Sequence, residues 1–425
     1  MHSFSFDTKN TKETQSTRRL KGKRYLKSDE LQTMMENVQV TIIGAGPAGL
    51  TLALLLHRAN ISCKILELRS REYVQSRVRA GLLEQNTVDL YNELGVANRL
   101  NKEGLLHRGV YLSFDEERIR VPFDELANGR CITIYGQQEV VKDLIEACIS
   151  KSIEIEFEAN ATSVKNIEVD EPVVHYTKDS EPKNLTCKFV AACDGFHGIG
   201  RKVMPKNSYN EYQKTYPFSW LGILAYAEPS SDELIYAYHK KGFALHSLRS
   251  ETVSRLYLQV GNNDKVENWS DEQIWNELQL RLHTQGFQLN RGEIFERSIT
   301  PIRSFMIDNM QFGRMFLAGD AAHIVPPTGG KGLNLAVADV RWLAAAMIDC
   351  FKNNKEEKLQ SYTADCLPRI WRAQDFSNFM TGLFHKQCEH GSFEYRLQKA
   401  KFDYIKSSKA YATTIAENYV GIKSL

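Results

Sequence analysis

Several things are scarce in this sequence, and each scarcity excludes a class of protein. The eight cysteines (Cys63, Cys131, Cys148, Cys187, Cys193, Cys350, Cys366 and Cys388) form no Cys-x-x-Cys pair, so neither a zinc ribbon nor a dithiol redox motif is available. A chain of 425 residues has no need of disulfide staples, and its cysteine usage fits a reducing compartment, the cytoplasm. Long apolar runs are missing too. The longest, Ile42 to Leu56, contains three glycines and Pro47 and falls short of the roughly 20 residues of a membrane-crossing helix. Charge of one sign is lacking, because 54 Lys plus Arg stand against 52 Asp plus Glu for a net +2. That balance excludes nucleic acid as a bulk partner and makes any anion site a local one. With only 11 Pro, 42% hydrophobic residues and no internal repeat or low-complexity tract, disorder and fibrous architectures are excluded as well.

What is present is organised. Residues 1 to about 36 set Lys9, Lys12, Arg18, Arg19, Lys21, Lys23, Arg24 and Lys27 among Ser, Thr and Asn and read as a flexible basic extension. A transit peptide is the alternative, although no amphipathic period supports it. From Val38 the pattern changes to a β-rich run, a Gly44-Ala45-Gly46-Pro47-Ala48-Gly49 turn, an apolar helix over Leu50–Asn60 and a second strand over Ser62–Glu67. This is a βαβ unit ending in an acid, the arrangement of a parallel sheet that binds a dinucleotide. Leu185–Cys193 and Met315–Ala318 look like returns to that sheet, the second leading into a helix over Gly332–Phe351. Between them Tyr216–Tyr226, Leu234–Leu248 and Ser254–Val260 alternate as strands, with one helix over Asp271–His283. The tail Lys358–His385 is helical and amphipathic, interrupted by Pro368.

The chemistry sits at the glycines and acids. Gly44 permits the tight turn, Gly46 lets a pyrophosphate approach the backbone, and Gly49 lets helix and strand touch, while Glu67 is placed for ribose hydroxyls. Two further strings, Cys193-Asp194-Gly195-Phe196-His197-Gly198 and Gly319-Asp320-Ala321-Ala322-His323 with Pro326-Pro327-Thr328-Gly329-Gly330-Lys331-Gly332-Leu333-Asn334, follow strand ends. An acid at such a position, with a glycine-rich loop opening a helix, suits ribityl hydroxyls and the pyrimidine edge of a flavin. FAD is therefore the expected resident cofactor rather than a nicotinamide.

These three motifs, in this order, resemble the class A flavoprotein aromatic hydroxylases with a glutathione-reductase type of FAD-binding, Rossmann-like α/β fold. The resemblance runs from about Val38 to Gly421 and is narrowest in Arg77-Val78-Arg79-Ala80-Gly81-Leu82-Leu83-Glu84-Gln85, Tyr135-Gly136-Gln137, Tyr216-Pro217-Phe218-Ser219-Trp220-Leu221-Gly222 and Ala416-Glu417-Asn418-Tyr419-Val420-Gly421. It implies an FAD-binding domain over 38–108, 130–206 and 306–350, an interleaved substrate-binding sheet domain over 109–129 and 207–305, and a helical, dimerising region over 351–425. It also implies NAD(P)H- and O2-dependent hydroxylation of 4-hydroxybenzoate at C3 to 3,4-dihydroxybenzoate by a homodimer, with no metal.

Residue by residue, the resemblance implies an aromatic-acid site in which Ser247, Leu248, Arg249 and Tyr257 hold the carboxylate. Tyr236 faces the phenol, Pro327 offers a carbonyl, Tyr419 continues the proton path, and His107 stands at its solvent end. A phenol relayed through tyrosines to a histidine loses its proton without admitting bulk water. For FAD it implies Gly44, Gly46, Ala48, Gly49, Glu67, Arg77, Val78, Arg79, Ala80, Gly81, Leu82, Gln137, Asp194, Asp320, Leu333 and Asn334, with Arg79 facing phosphate. For the transient nicotinamide it implies Arg77, His197, Arg201 and Arg303, any of which would serve equally as a structural ion-pair partner. The chain departs from the pattern at Leu68, where an arginine is usual; Arg69, Arg71 and Tyr73 follow within reach of a 2′-phosphate, so NADPH and NADH both stay open. Ala48 replaces a common serine, and His246 precedes Ser247 where a cysteine is usual. The alternatives are hydroxylation of another para-hydroxylated aromatic acid and a non-catalytic FAD-fold binding protein.

Overall fold

Val40, Ile42 and Ile43 are β-branched and fully or nearly fully buried, which suits a strand covered on both faces. They lie in Glu36–Ile43, the central strand of an eight-stranded sheet whose path runs Gln311–Phe312, Met315–Leu317, Glu181–Ala192, Glu36–Ile43, Cys63–Glu67, Glu154–Phe157. Pairing of the central strand with Cys63–Glu67 is parallel, Val40 opposite Cys63 through Ile43 opposite Leu66, and the crossover between them is the helix Pro47–Arg58. The structure, a computed structural model, describes residues 36–78 and 81–421; residues 1–35 of the expected extension, Arg79 and Ala80 lie outside them. All eight cysteines are free, and among the described residues no helix is long and apolar enough to cross a membrane.

A second eight-stranded sheet runs His323–Ile324, Glu293–Ile307, Glu211–Tyr226, Ser254–Val260, Ala244–Leu248, Ile235–Tyr238, Gly109–Phe114, Glu117–Pro122. A three-stranded sheet joins Leu82–Glu84, Ile132–Ile134 and Leu105–His107. Helices Glu357–Phe384, Phe393–Ser407 and Lys409–Val420 close the chain, the last two capped by Ser392 and Ser408, which accept from the Tyr395 and Tyr411 amides. This is the α/β architecture with a helical C-terminal region that the sequence implies.

Three local expectations are corrected. The motif helix starts at Pro47 rather than Leu50, because a proline in the first turn lacks only an N–H that no carbonyl awaits. The run Leu234–Leu248 folds back on itself as Ile235–Tyr238 and Ala244–Leu248, with Ile235 opposite His246; Gly242, at φ +123°, makes the reversal. Pro368 does not interrupt the tail, which is one helix over Glu357–Phe384. The carbonyl it deprives of a partner belongs to Ala364, on the exposed side of the helix, where water can serve it.

Three buried histidines give the fold a pH dependence. Burial lowers the pKa of His107 to about 4, against an opposing pull from the Asp232 carboxylate. It lowers His246 to about 3, helped by Arg118 and His107, and His385 to about 3, against the Thr381 carbonyl. In the unfolded chain each returns to about 6.5, so the unfolded state binds more protons below that value. Their contribution to stability is complete above pH 6.5 and is lost as pH falls toward 4. Unfolding at pH 5 is therefore expected to take up close to three protons from these groups, read from the slope of unfolding free energy against pH. A flat slope from pH 6.5 to 4.5 in a protein whose three histidines are present would contradict this.

Candidate active site

The dinucleotide turn is built as its glycines require. Gly44 has φ +104°, and a Cβ there would meet the Cys193 carbonyl inside contact distance, while a Cβ on Gly46 would meet nothing within 4 Å. The mouth of the helix Pro47–Arg58 is thus open at the residue meant to face phosphate. Glu67 is buried with both oxygens engaged, one accepting from the Ala45 amide at 2.7 Å and the other from the Arg69 amide at 2.8 Å. It braces the turn as well as presenting its remaining lone pairs.

Gly81 packs so tightly on Tyr135 and Gly136 that a Cβ would collide with their backbone, which carries Val78, Gly81 and Leu82 past the start of the helix Gln137–Ser150. Asp194 accepts from the Gly200 amide at 2.8 Å through one oxygen, and its other oxygen is buried without a partner. Asp320 is half-buried in the turn Gly319–Ala321. Leu333 and Asn334 open the helix Gly332–Asn353. The Asn334 side chain is spent inside the protein: it accepts from the Glu84 amide and Thr87 hydroxyl at 2.8 Å and donates to the carbonyls of Leu82 (2.9 Å) and Gly330 (3.0 Å). Any service it gives a cofactor is through the loop it fastens. The open cradle at Gly46 and the partnerless buried Asp194 oxygen fit an extended, polar cofactor such as FAD.

One cavity, partly open to solvent, gathers the aromatic-acid candidates. Tyr236, Ser247, Arg249, Tyr257 and Pro327 line it together with Gly81, Leu82, Trp220, Leu234, Leu245 and Gly330. Strand register explains the company: Leu245 lies opposite Tyr257 and Ser247 opposite Arg255, so these alternate residues share one face. Leu248 falls on the other face and does not line the cavity, a correction to its expected place at the carboxylate clamp.

Tyr236 is buried at the cavity wall, accepting from the Tyr419 hydroxyl at 2.6 Å and the Gly329 amide at 3.3 Å. Its own hydroxyl proton is left to point into the cavity. Burial pushes its pKa up to about 12, although both donors favour the phenolate; Tyr419 is pushed higher, first by burial and then by Tyr236 itself. At the opposite side desolvation, and then the Arg255 charge, draw the Arg249 guanidinium down to about 10.

His107 does not stand at a solvent end. It is 1% exposed, both ring nitrogens lack a hydrogen-bond partner, and it ends the edge strand Leu105–His107 opposite Ile132. The nicotinamide candidates fall into two groups. Arg69 and Arg77 flank the exposed ring of Tyr73 at 5.2 and 6.0 Å. Arg303 and Arg201 lie over Phe196 at 3.9 and 4.6 Å, beside exposed His197. Arg201 also donates to the carbonyls of Ala321 (2.7 Å) and Phe196 (2.8 Å), so it ties the two acid motifs together.

Sequence reasoning missed several participants. Arg255 is buried with Nε and Nη1 unpartnered, on the cavity face beside Ser247; only strand alternation pointed to it. Lys331 bonds Glu84 at 2.9 Å and the Tyr419 carbonyl at 2.8 Å, and Arg369 bonds Glu84 at 3.0 Å. Desolvation raises the pKa of Glu84, but Lys331 and Arg369 outweigh it and keep the carboxyl below its ordinary range. This triad, with Lys331 and Glu84 buried and Arg369 half-buried, anchors the chain end that carries Tyr419, and nothing in local sequence joins residues so far apart.

The chain matches the family described as FAD binding domain over residues 37–377. It is 44% identical over 393 residues to p-hydroxybenzoate hydroxylase of Acinetobacter baylyi, covering 92% of this chain and 96% of that protein. A probable NADH-specific resorcinol 4-hydroxylase of Rhodococcus jostii is 24% identical, covering 78% of this chain and 63% of the other. Among solved structures, p-nitrophenol 4-monooxygenase PnpA from Pseudomonas putida superposes with a TM-score of 0.78 at 19% identity, covering 92% of this chain and 100% of that one. The chain belongs to the FAD-binding family of class A flavoprotein aromatic hydroxylases. It is an FAD-dependent monooxygenase that uses NAD(P)H and O2 to hydroxylate an aromatic substrate.

Proposed function

We propose that the substrate is 4-hydroxybenzoate and the product 3,4-dihydroxybenzoate. The observation that carries this reading is a single cavity with a carboxylate-binding cation, Arg249, and a hydroxyl relay, Tyr236 to Tyr419. The name of the Acinetobacter relative supports it. The guanidinium of Arg249, with Ser247 and Tyr257 as further donors, holds the carboxylate, and the apolar walls Leu245, Leu234 and Trp220 take the ring. FAD, when bound at the Gly44–Gly49 turn, would supply the hydride acceptor and the O2 chemistry; the protein's part is to hold the ring and manage its phenolic proton.

Tyr236 does that by accepting the proton while its own passes to Tyr419, whose proton leaves in turn for the next acceptor; the hydroxyl chain of the two tyrosines is reversed, each ends neutral, and no water enters the substrate cavity. The phenolate so formed is the electron-rich ring that oxygen attacks ortho to the oxygen atom. Pro327 lines the same cavity, its carbonyl already accepting from the Gly330 amide at 3.0 Å and keeping a second lone pair for the phenol. His107 serves as the next acceptor only once water reaches its ring, since hydration returns its pKa from about 4 toward the ordinary 6.5. Arg69, Tyr73, Arg77, His197, Arg201 and Arg303 meet the nicotinamide coenzyme. We assign cofactor work to 38–108, 130–206 and 306–350 and substrate work to 109–129 and 207–305, in a cytoplasmic homodimer.

The test is NADPH and NADH oxidation by the yellow protein with and without 4-hydroxybenzoate, product being measured against coenzyme consumed. Stimulation with near-stoichiometric 3,4-dihydroxybenzoate is expected. Stimulation without product would make 4-hydroxybenzoate an effector and a related acid the substrate; no stimulation with either coenzyme would refute the proposal.

A further inference from the structure

Trp220 shows the cavity a wall without a hydrogen-bond donor, and the reason lies behind it. Its indole N–H points to Nε2 of His385 at 2.6 Å, and both side chains are buried. Because an indole nitrogen only donates, Nε2 must be the accepting, unprotonated nitrogen. The other ring nitrogen, Nδ1, lies 2.9 Å from the Thr381 carbonyl, which only accepts, so Nδ1 carries the proton. The tautomer is thereby fixed as neutral. Phe218 and Phe243 stack on the imidazole at 4.4 and 4.3 Å, leaving it no other orientation. The same helical turn reaches a second part of the cavity lining: the Thr381 hydroxyl, whose proton goes to the Ser377 carbonyl at 2.7 Å, accepts from that of Thr328 at 2.9 Å, next to Pro327, which lines the cavity.

We infer that His385 is a positioning residue for substrate orientation, acting through Trp220. By drawing the indole N–H away from the cavity it keeps that wall apolar, so that Arg249, Ser247 and Tyr257 are the donors a carboxylate finds at one end and Tyr236 the partner a phenol finds at the other. Without the acceptor, a buried indole donor is unpaired, and the polar groups of a bound acid then compete to satisfy it. The ring would then be held in more than one orientation, and the carbon to be hydroxylated would no longer be fixed. This rests on the proposed aromatic-acid substrate.

Four forms of the FAD-loaded protein test it: wild type, His385→Phe, Trp220→Phe and the double variant, with His385→Gln as a conservative rescue that restores an amide acceptor. In wild type, the indole N–H resonance that disappears in Trp220→Phe should be protected from exchange and shifted downfield; in His385→Phe it should move upfield. The dissociation constant for 4-hydroxybenzoate, read by flavin absorbance, should rise about tenfold in His385→Phe and product per coenzyme should fall, with His385→Gln recovering most of both. In the Trp220→Phe background His385→Phe should change affinity less than about twofold. An equal loss in both backgrounds, or full affinity and coupling in a folded His385→Phe protein, would overturn the inference. If wild type itself fails to bind 4-hydroxybenzoate, the substrate assignment has failed instead, and the indole resonance still reports whether His385 holds Trp220.

Discussion

Replacing Tyr236 by Phe is expected to leave flavin reduction and substrate affinity within about threefold of wild type and to cut hydroxylation by about 100-fold or more, the contribution of a positioned proton acceptor. Affinity survives because Arg249, Ser247 and Tyr257 remain across the cavity. Hydroxylation falls because the phenol no longer has a hydroxyl to which its proton can pass, and the 2.6 Å bond from Tyr419 loses its acceptor. Coenzyme would still be consumed, so product per NAD(P)H is the sensitive measurement. Tyr419→Phe should show the same defect more weakly, since Tyr236 still faces the substrate and keeps the Gly329 amide. Full product yield in Tyr236→Phe would remove the relay from the mechanism.

The relay also shows what a sequence can and cannot say. The glycine turn was legible because its logic is local: Gly44, Gly46 and Gly49 work through backbone shape, and Glu67 sits at the end of the next strand. Tyr236 and Tyr419 are 183 residues apart, and taken singly each is an ordinary core aromatic; only the resemblance placed them in one site. Leu248 and His107 show the limit of such transfer. Position carried over, but which face a strand residue shows and whether an imidazole meets solvent depend on register and packing. Trp220, which lies within a family string but without a role there, and Arg255, outside any such string, show the converse, since neither has a stated place in the site until Ser254–Val260 pairs with Ala244–Leu248 on one side and Glu211–Tyr226 on the other. Pro368 was misread because a proline rule assumes the freed carbonyl is costly, which solvent at that helix face makes untrue.

Arg249→Ala should separate binding from stability. In the free protein Arg249 is a desolvated cation with the Arg255 charge against it and Tyr257 and the Glu296 carboxylate in its favour, so its removal relieves repulsion and desolvation while giving up attraction, and the thermal midpoint should move little. For the bound acid the balance reverses. Its carboxylate enters the same poorly solvated wall and loses a charge-assisted partner, a change of roughly 2–5 kcal/mol for a desolvated pair. Affinity for 4-hydroxybenzoate should therefore fall by about 30-fold or more, with Arg249→Lys intermediate because an ammonium keeps the charge but not the planar fork. A neutral analogue such as 4-hydroxybenzamide should lose far less. Calorimetric titration of the acid and the amide against both variants checks all three values. Equal losses for acid and amide would mean that Arg249 shapes the cavity rather than neutralising the carboxylate, and unchanged affinity for the acid would transfer that role to Arg255.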